Sequence, residues 1–118
     1  MAQRNTFAEQ IEASLSKLGA RPQFKGDRLW LTFYLMGAPD RLQQVSESLK
    51  ACGWVNVDGW EGGFLYPKVQ VEKSVEAVVG AAKATQKLCA PHGIEILDID
   101  ADTSPDVNRS QFVTLYRN

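Results

Sequence analysis

Three aspartates at alternate positions in "DIDAD" put Asp98, Asp100 and Asp102 on one side of an extended chain. Carboxylates in that pattern suggest a cation site. Alternate strand residues stand about 6.6–6.8 Å apart, whereas carboxylate oxygens must come within about 2.0–2.6 Å of one ion. No histidine or fourth ligand assists them, so no metal is expected. The three are read as a solvated acidic rim or a patch for a basic partner. His92 is the only histidine. Between Pro91 and Gly93, at a helix end, it suits the C-terminal dipole. The alternative is an enzyme using His92 with Asp98 or Asp100. The chain has no phosphate loop, dinucleotide fingerprint, metal-binding CxxC pair or nucleophile elbow. No catalytic residue and no cofactor is therefore assigned, and the chain reads as not an enzyme. Cys52 and Cys89 fall at apolar helix positions and are expected as reduced core residues, which points to a cytoplasmic location.

Aromatic side chains make the second constellation. In "RLWLTFYLM", residues 28–36, Leu29, Leu31, Phe33 and Leu35 share one face, and Trp30, Thr32, Tyr34 and Met36 the other. A strand with large apolar groups on both faces is usually covered on both, or forms an interface. Phe64 and Tyr66 join Trp30 and Tyr34 on the second face, with Phe112 and Tyr116 continuing it. Stacking of RNA bases on such a platform is one reading, but Asp98 and Asp100 on that face would repel phosphates, so nucleic acid is not the expected partner. The plainer expectation is cover by an N-terminal helix carrying Phe7, Ile11, Leu15 and Leu18, or by a second subunit. In "GWVNVDGWEGGFLYP", Trp54 packs at a helix end and Trp60 sits at the tip of a glycine-rich turn. There it either anchors a partner or folds back over the sheet edge.

These residues need elements to hold them. Thr6 and Glu9 form a capping box for a helix over about 6–19 that Gly19 stops. A short strand at Pro22–Phe24 and a turn at Lys25-Gly26-Asp27 precede the 28–36 strand. Pro39 opens a second helix with Leu42, Val45, Leu49 and Cys52 buried. Residues 54–57 and 64–71 read as strands, the second interrupted by Pro67, which donates no ladder bond. Ser74 caps a third helix with Val75, Val78, Val79, Ala82 and Leu88 inward. Strands at 94–100 and 112–117 finish the chain, with a polar loop between them. The core order, strand-helix-strand-strand-helix-strand, is that of a ferredoxin-like α+β sandwich. It predicts an antiparallel sheet with two helices on one face, plus the extra N-terminal helix and a C-terminal strand. One domain is expected over residues 1–118, with its core at about 28–102. The 118 residues are 44% apolar and 23% charged, with net charge −1, as in an ordinary globular domain without a basic excess. No apolar run is long enough for a membrane span, and "MAQRNTFAEQ" lacks the layout of a signal peptide.

Over residues 28 to 102 the chain resembles a bacterial family. The features are the aromatic strand "LWLTFYLMGAPD", a helix closing on "LKACGW", and "VEKSVEAVVGAAKATQKLCAPHGIEILDID", whose long helix ends in His-Gly before the last core strand. The family is named after the regulator of ribonuclease E activity B, a ribonuclease E inhibitor. It departs from that family where the last core strand, typically closed by Asp-Gly-Trp, reads Ile-Leu-Asp-Ile-Asp; Asp58-Gly59-Trp60 stands elsewhere. The chain is also nearly neutral, whereas the namesake is strongly acidic. The resemblance implies a regulatory protein that binds a protein partner, a nuclease; from the residues themselves, Trp60, Asp98, Asp100 and Asp102 are expected to contact it. The alternatives are a ferredoxin-like homodimer with a small ligand between aromatic faces, and a single-stranded RNA binder.

Overall fold

The computed structural model describes residues 6–18, 24, 26–104 and 112–118. The expected cap from the Thr6 side chain, the Gly19 stop, the start of the Pro22–Phe24 strand and Lys25 of the first turn lie outside the described residues. The chain is α+β, with a five-stranded antiparallel sheet and three α-helices among the described residues. These are α1 (Thr6–Leu18), β1 (Arg28–Met36), α2 (Pro39–Ala51), β2 (Phe64–Leu65), β3 (Lys68–Glu72), α3 (Val75–Cys89), β4 (Glu95–Asp102) and β5 (Phe112–Arg117). Among the described residues, no helix is long and apolar enough to cross a membrane.

β1 is central, as its two-sided apolar character requires. β4 pairs along one edge and carries β5 outside it, while β2 and β3 both pair along the other. The partners Leu35↔Leu65, Thr32↔Lys68 and Arg28↔Glu72 follow one register. β2 and β3 are therefore one strand interrupted at Tyr66-Pro67. The Phe33 amide still donates to the Pro67 carbonyl at 3.0 Å. The return bond is missing because proline has no N–H, so Pro67 removes one rung without shifting the register. The strand expected at 54–57 shrinks to a single bridge, Val55 to Lys68. Asn56, at φ 55°, turns the backbone into the left-handed region that asparagine tolerates, which ends the pairing.

Leu29, Leu31, Phe33 and Leu35 are buried together with residues of all three helices: Phe7, Ile11 and Leu18, then Leu42, Val45 and Leu49, then Val78, Ala82 and Cys89. Pro39 starts α2, and the Ser74 hydroxyl caps α3 by accepting from the Ala77 amide at 3.1 Å. Three helices, not two, thus share one face. α1 does not cross the aromatic face as expected; it lies beside α3 and over β5. The cause is a bulge between Ile99 and Asp100 that leaves Leu115 unpaired and sets Tyr116 opposite Ile99. That bulge turns Tyr116 from the expected aromatic face to the helix side, where its ring meets Phe7 at 4.5 Å. Leu115 and Tyr116 need a lid, and α1 provides it. α1 also ties down the outer edge of β5. Gln10 Nε2 donates to the Arg117 carbonyl at 3.2 Å, the Arg117 amide donates to Gln10 Oε1 at 3.1 Å, and Ser14 Oγ donates to the Leu115 carbonyl at 3.2 Å. Cys52, expected in the core, is exposed at the end of α2, whereas Cys89 is buried; both are free thiols. The α2 stripe ends one turn earlier than its spacing suggested, at Leu49.

Candidate functional site

The sheet's other face has no described helix over it. Period-two alternation and register place its side chains in rows. Trp30 stands opposite Asp102 and Gln70, Thr32 opposite Asp100 and Lys68, and Tyr34 opposite Asp98. On β5, Phe112 faces Asp102, Thr114 faces Asp100 and Arg117 faces Asp98. Asp98, Asp100 and Asp102 do share this face with Trp30 and Tyr34. The Tyr34 and Tyr66 rings meet edge-on at 5.2 Å, and Phe64 stacks on Tyr66 at 6.5 Å. Phe64, Tyr66 and Phe112 stay 40%, 43% and 62% exposed.

At the centre is an ion pair the sequence reading missed. Lys68 Nζ donates to Thr32 Oγ1 and to Asp102 Oδ2, each at 2.8 Å. The Thr32 hydroxyl hydrogen-bonds the same carboxylate oxygen. Lys68 is 2% exposed and Asp102 3%. Asp100 is buried just as deeply, but among the described residues no cation pairs with it. The Tyr34 and Thr114 hydroxyls lie beside its carboxylate, while its Oδ1 has no hydrogen-bond partner. Burial pushes the Asp100 carboxyl up. The Tyr34 and Thr114 hydroxyls oppose that rise, and the neighbouring Asp102 and Asp98 charges add to it. Burial likewise raises the Tyr34 phenol well above its ordinary range, helped by the Asp100 charge and hydrogen bond and by the Asp102 and Asp98 charges. The acidic rim expected in solvent is thus two buried carboxylates and one outer one. Asp98 meets Arg117 Nε at 3.6 Å, in a pair open to water and worth little.

A groove of about 320 Å³ runs over this network, lined by Thr32, Tyr34, Asn56, Tyr66, Lys68, Asp102 and Phe112. Asn56 holds one wall, its Nδ2 donating to the Tyr66 carbonyl at 2.8 Å. The groove thus has aromatic walls and a polar, internally neutralised floor. Among the described residues, no group of three His, Cys, Asp or Glu is placed to hold a metal. Lys68 already holds the Asp102 carboxylate that a metal would need.

The other expected site residues lie apart. Trp60 opens a short 3-10 turn and is half-buried against the core, not presented at a tip. Trp54 packs on Phe33 at 5.3 Å. Trp30 is half-buried on the open face. His92 closes a second 3-10 turn after α3, and its buried Nδ1 has no partner among the described residues, so the structure records no link to Asp98 or Asp100. Lys68 had one sequence signal, a lysine in mid-strand at the same parity as Phe64 and Tyr66. Its pairing with Asp102 depends on register.

A scan of protein-family models finds no match to this chain, and searches of curated proteins and of solved structures find none either.

Proposed function

We propose that this chain is a non-enzymatic regulatory protein that docks a protein partner on its open sheet face. The observation carrying this reading is that Phe64, Tyr66 and Phe112 stay exposed on a face over which no described helix packs. Aromatic anchors around a polar centre are what protein interfaces concentrate. The resemblance noted in the sequence supplies the class of partner, a ribonuclease of the ribonuclease E type. The sheet order supports a ferredoxin-like reading of the fold: β4, β1, β3, then the Val55 bridge, all antiparallel, with β5 and α1 as additions. The two free thiols support a reducing compartment such as the cytoplasm. Of the earlier contact residues, Asp98 remains at the surface of this face; Trp60 lies off it.

The test mixes the purified chain with purified ribonuclease E and follows complex formation and RNA cleavage. Binding with slowed cleavage, lost in Tyr66→Ala and Phe112→Ala, supports the reading. No complex at micromolar concentrations, or one indifferent to both substitutions, rejects it. The groove favours a second reading, a homodimer enclosing a small ligand between two such faces. Sedimentation as a monomer at all concentrations removes that one. Direct RNA stacking is opposed by Asp98, Asp100 and Asp102 on the same face.

A further inference from the structure

The geometry points to a guanidinium pocket: the groove floored by Thr32, Lys68 and Asp102 and walled by Tyr34, Tyr66 and Phe112 receives an arginine side chain of the partner, with Asp100 as its countercharge. This deepens the docking reading above and rests on it.

The argument begins with the charges on the face. Lys68 and Asp102 close on each other at 2.8 Å, and Asp98 has Arg117 beside it. Asp100 is left over, 3% exposed, with a buried oxygen that no donor satisfies. A buried, partly satisfied carboxylate is unfavourable unless a positive charge comes near it. An anionic guest would add to the strain and a neutral one would leave it. A single cation closes the balance.

The walls select the kind of cation. Tyr34, Tyr66 and Phe112 offer ring faces and edges to a flat, weakly hydrated group, which suits guanidinium. A lysine would bring a compact, strongly hydrated ammonium that the rings match less well. Tyr34 connects guest to countercharge. Its hydroxyl lies beside Asp100, and its oxygen keeps lone pairs for an N–H donor in the groove. The cation therefore reaches Asp100 through Tyr34 without displacing it.

The probe is Nα-acetylarginine amide, titrated into the intact protein while the ring resonances of Tyr34, Tyr66 and Phe112 are followed by NMR. Saturable shifts are expected with the arginine probe and none with Nα-acetylglutamine amide, a flat neutral analogue. Tyr66→Ala, at an exposed position, weakens binding roughly two- to thirtyfold, the span measured for cations over aromatic rings. Asp100 is faced by Thr32 and Tyr34 from β1 and Thr114 from β5, with Asp98 and Asp102 on its own strand; the charges of Lys68 and Arg117 are paired with Asp102 and Asp98. Its ionisation favours the cation, so affinity rises with pH in the natural chain and stays flat in Asp100→Asn. Equal binding of arginine and glutamine probes, or an Asp100→Asn variant with unchanged affinity and pH profile, overturns the pocket. If the arginine probe fails while a Tyr66-dependent ribonuclease complex persists, the pocket falls and the docking reading stands. If the probe binds with no ribonuclease complex, the pocket stands and the named partner falls.

Discussion

Replacing Lys68 with methionine keeps most of the length and bulk of the side chain but removes its charge. Among the described residues Asp102 then keeps only the Thr32 hydroxyl, at a position 3% exposed. Removing one member of a buried pair typically costs about 3–5 kcal/mol, against about 5–15 kcal/mol for the whole stability of an ordinary domain. Lys68→Met should therefore lose a large share of the folding free energy, read as a lower urea midpoint with an unchanged slope. The triple variant Thr32→Val, Lys68→Met, Asp102→Leu removes all three polar groups together. Replacing a buried ion pair by apolar side chains is often neutral or stabilising by about 1–4 kcal/mol, so the triple variant should recover the natural midpoint or exceed it. A loss below about 1 kcal/mol in Lys68→Met would match a water-exposed pair and refute the burial argument. A triple variant as unstable as the single one would also refute it, since the damage would then lie in packing and not in an abandoned charge.

Asp100→Asn isolates the other buried carboxylate. The folded state raises the Asp100 carboxyl above its unfolded value, so its favourable contribution is present in acid and lost as pH rises through the folded value. The natural chain minus the asparagine variant should thus lose stability as pH rises above the ordinary carboxylate range, measured by denaturation at stepped pH; a flat difference would contradict this. Cys52 should react with a thiol reagent at once. Cys89, buried and with its thiol pushed up to about 11, should react only on unfolding, so two equally fast phases would count against the structure. Gly37→Ala places a Cβ 2.7 Å from Ile94 Cγ1 and should destabilise by about 1–3 kcal/mol, read in thermal melts.

The alternation of β1 was legible because its period-two pattern needs no partner: Leu29, Leu31, Phe33 and Leu35 went inward as written. Helix starts at Pro39 and Ser74 were legible for the same local reason. What failed depended on contacts distant in the chain. The apolar stripe of α1 announces that it covers something, but only the position of β5 decides what. The bulge at Ile99 leaves no mark in "DIDAD", yet it turns Tyr116 over and brings α1 with it. Asn56, in the left-handed region, cut a strand that Val55 and Val57 seemed to promise. The aspartates were placed on the correct face, but their burial follows from Lys68, Tyr34 and Phe112 arriving from three other strands.

Gln10 has a consequence beyond holding α1 in place. One carboxamide gives Arg117 both an acceptor and a donor, the same two groups that another chain's peptide unit would offer. β5 thus ends in a side-chain imitation of a further strand, and lateral growth of the sheet terminates there. A chain cut between α1 and β1 would present Leu115 and Arg117 as a template, together with the greasy underside that Phe7 had sealed. Such a fragment should polymerise where the intact chain does not, which makes α1 a guard against fibrils as much as a part of the core.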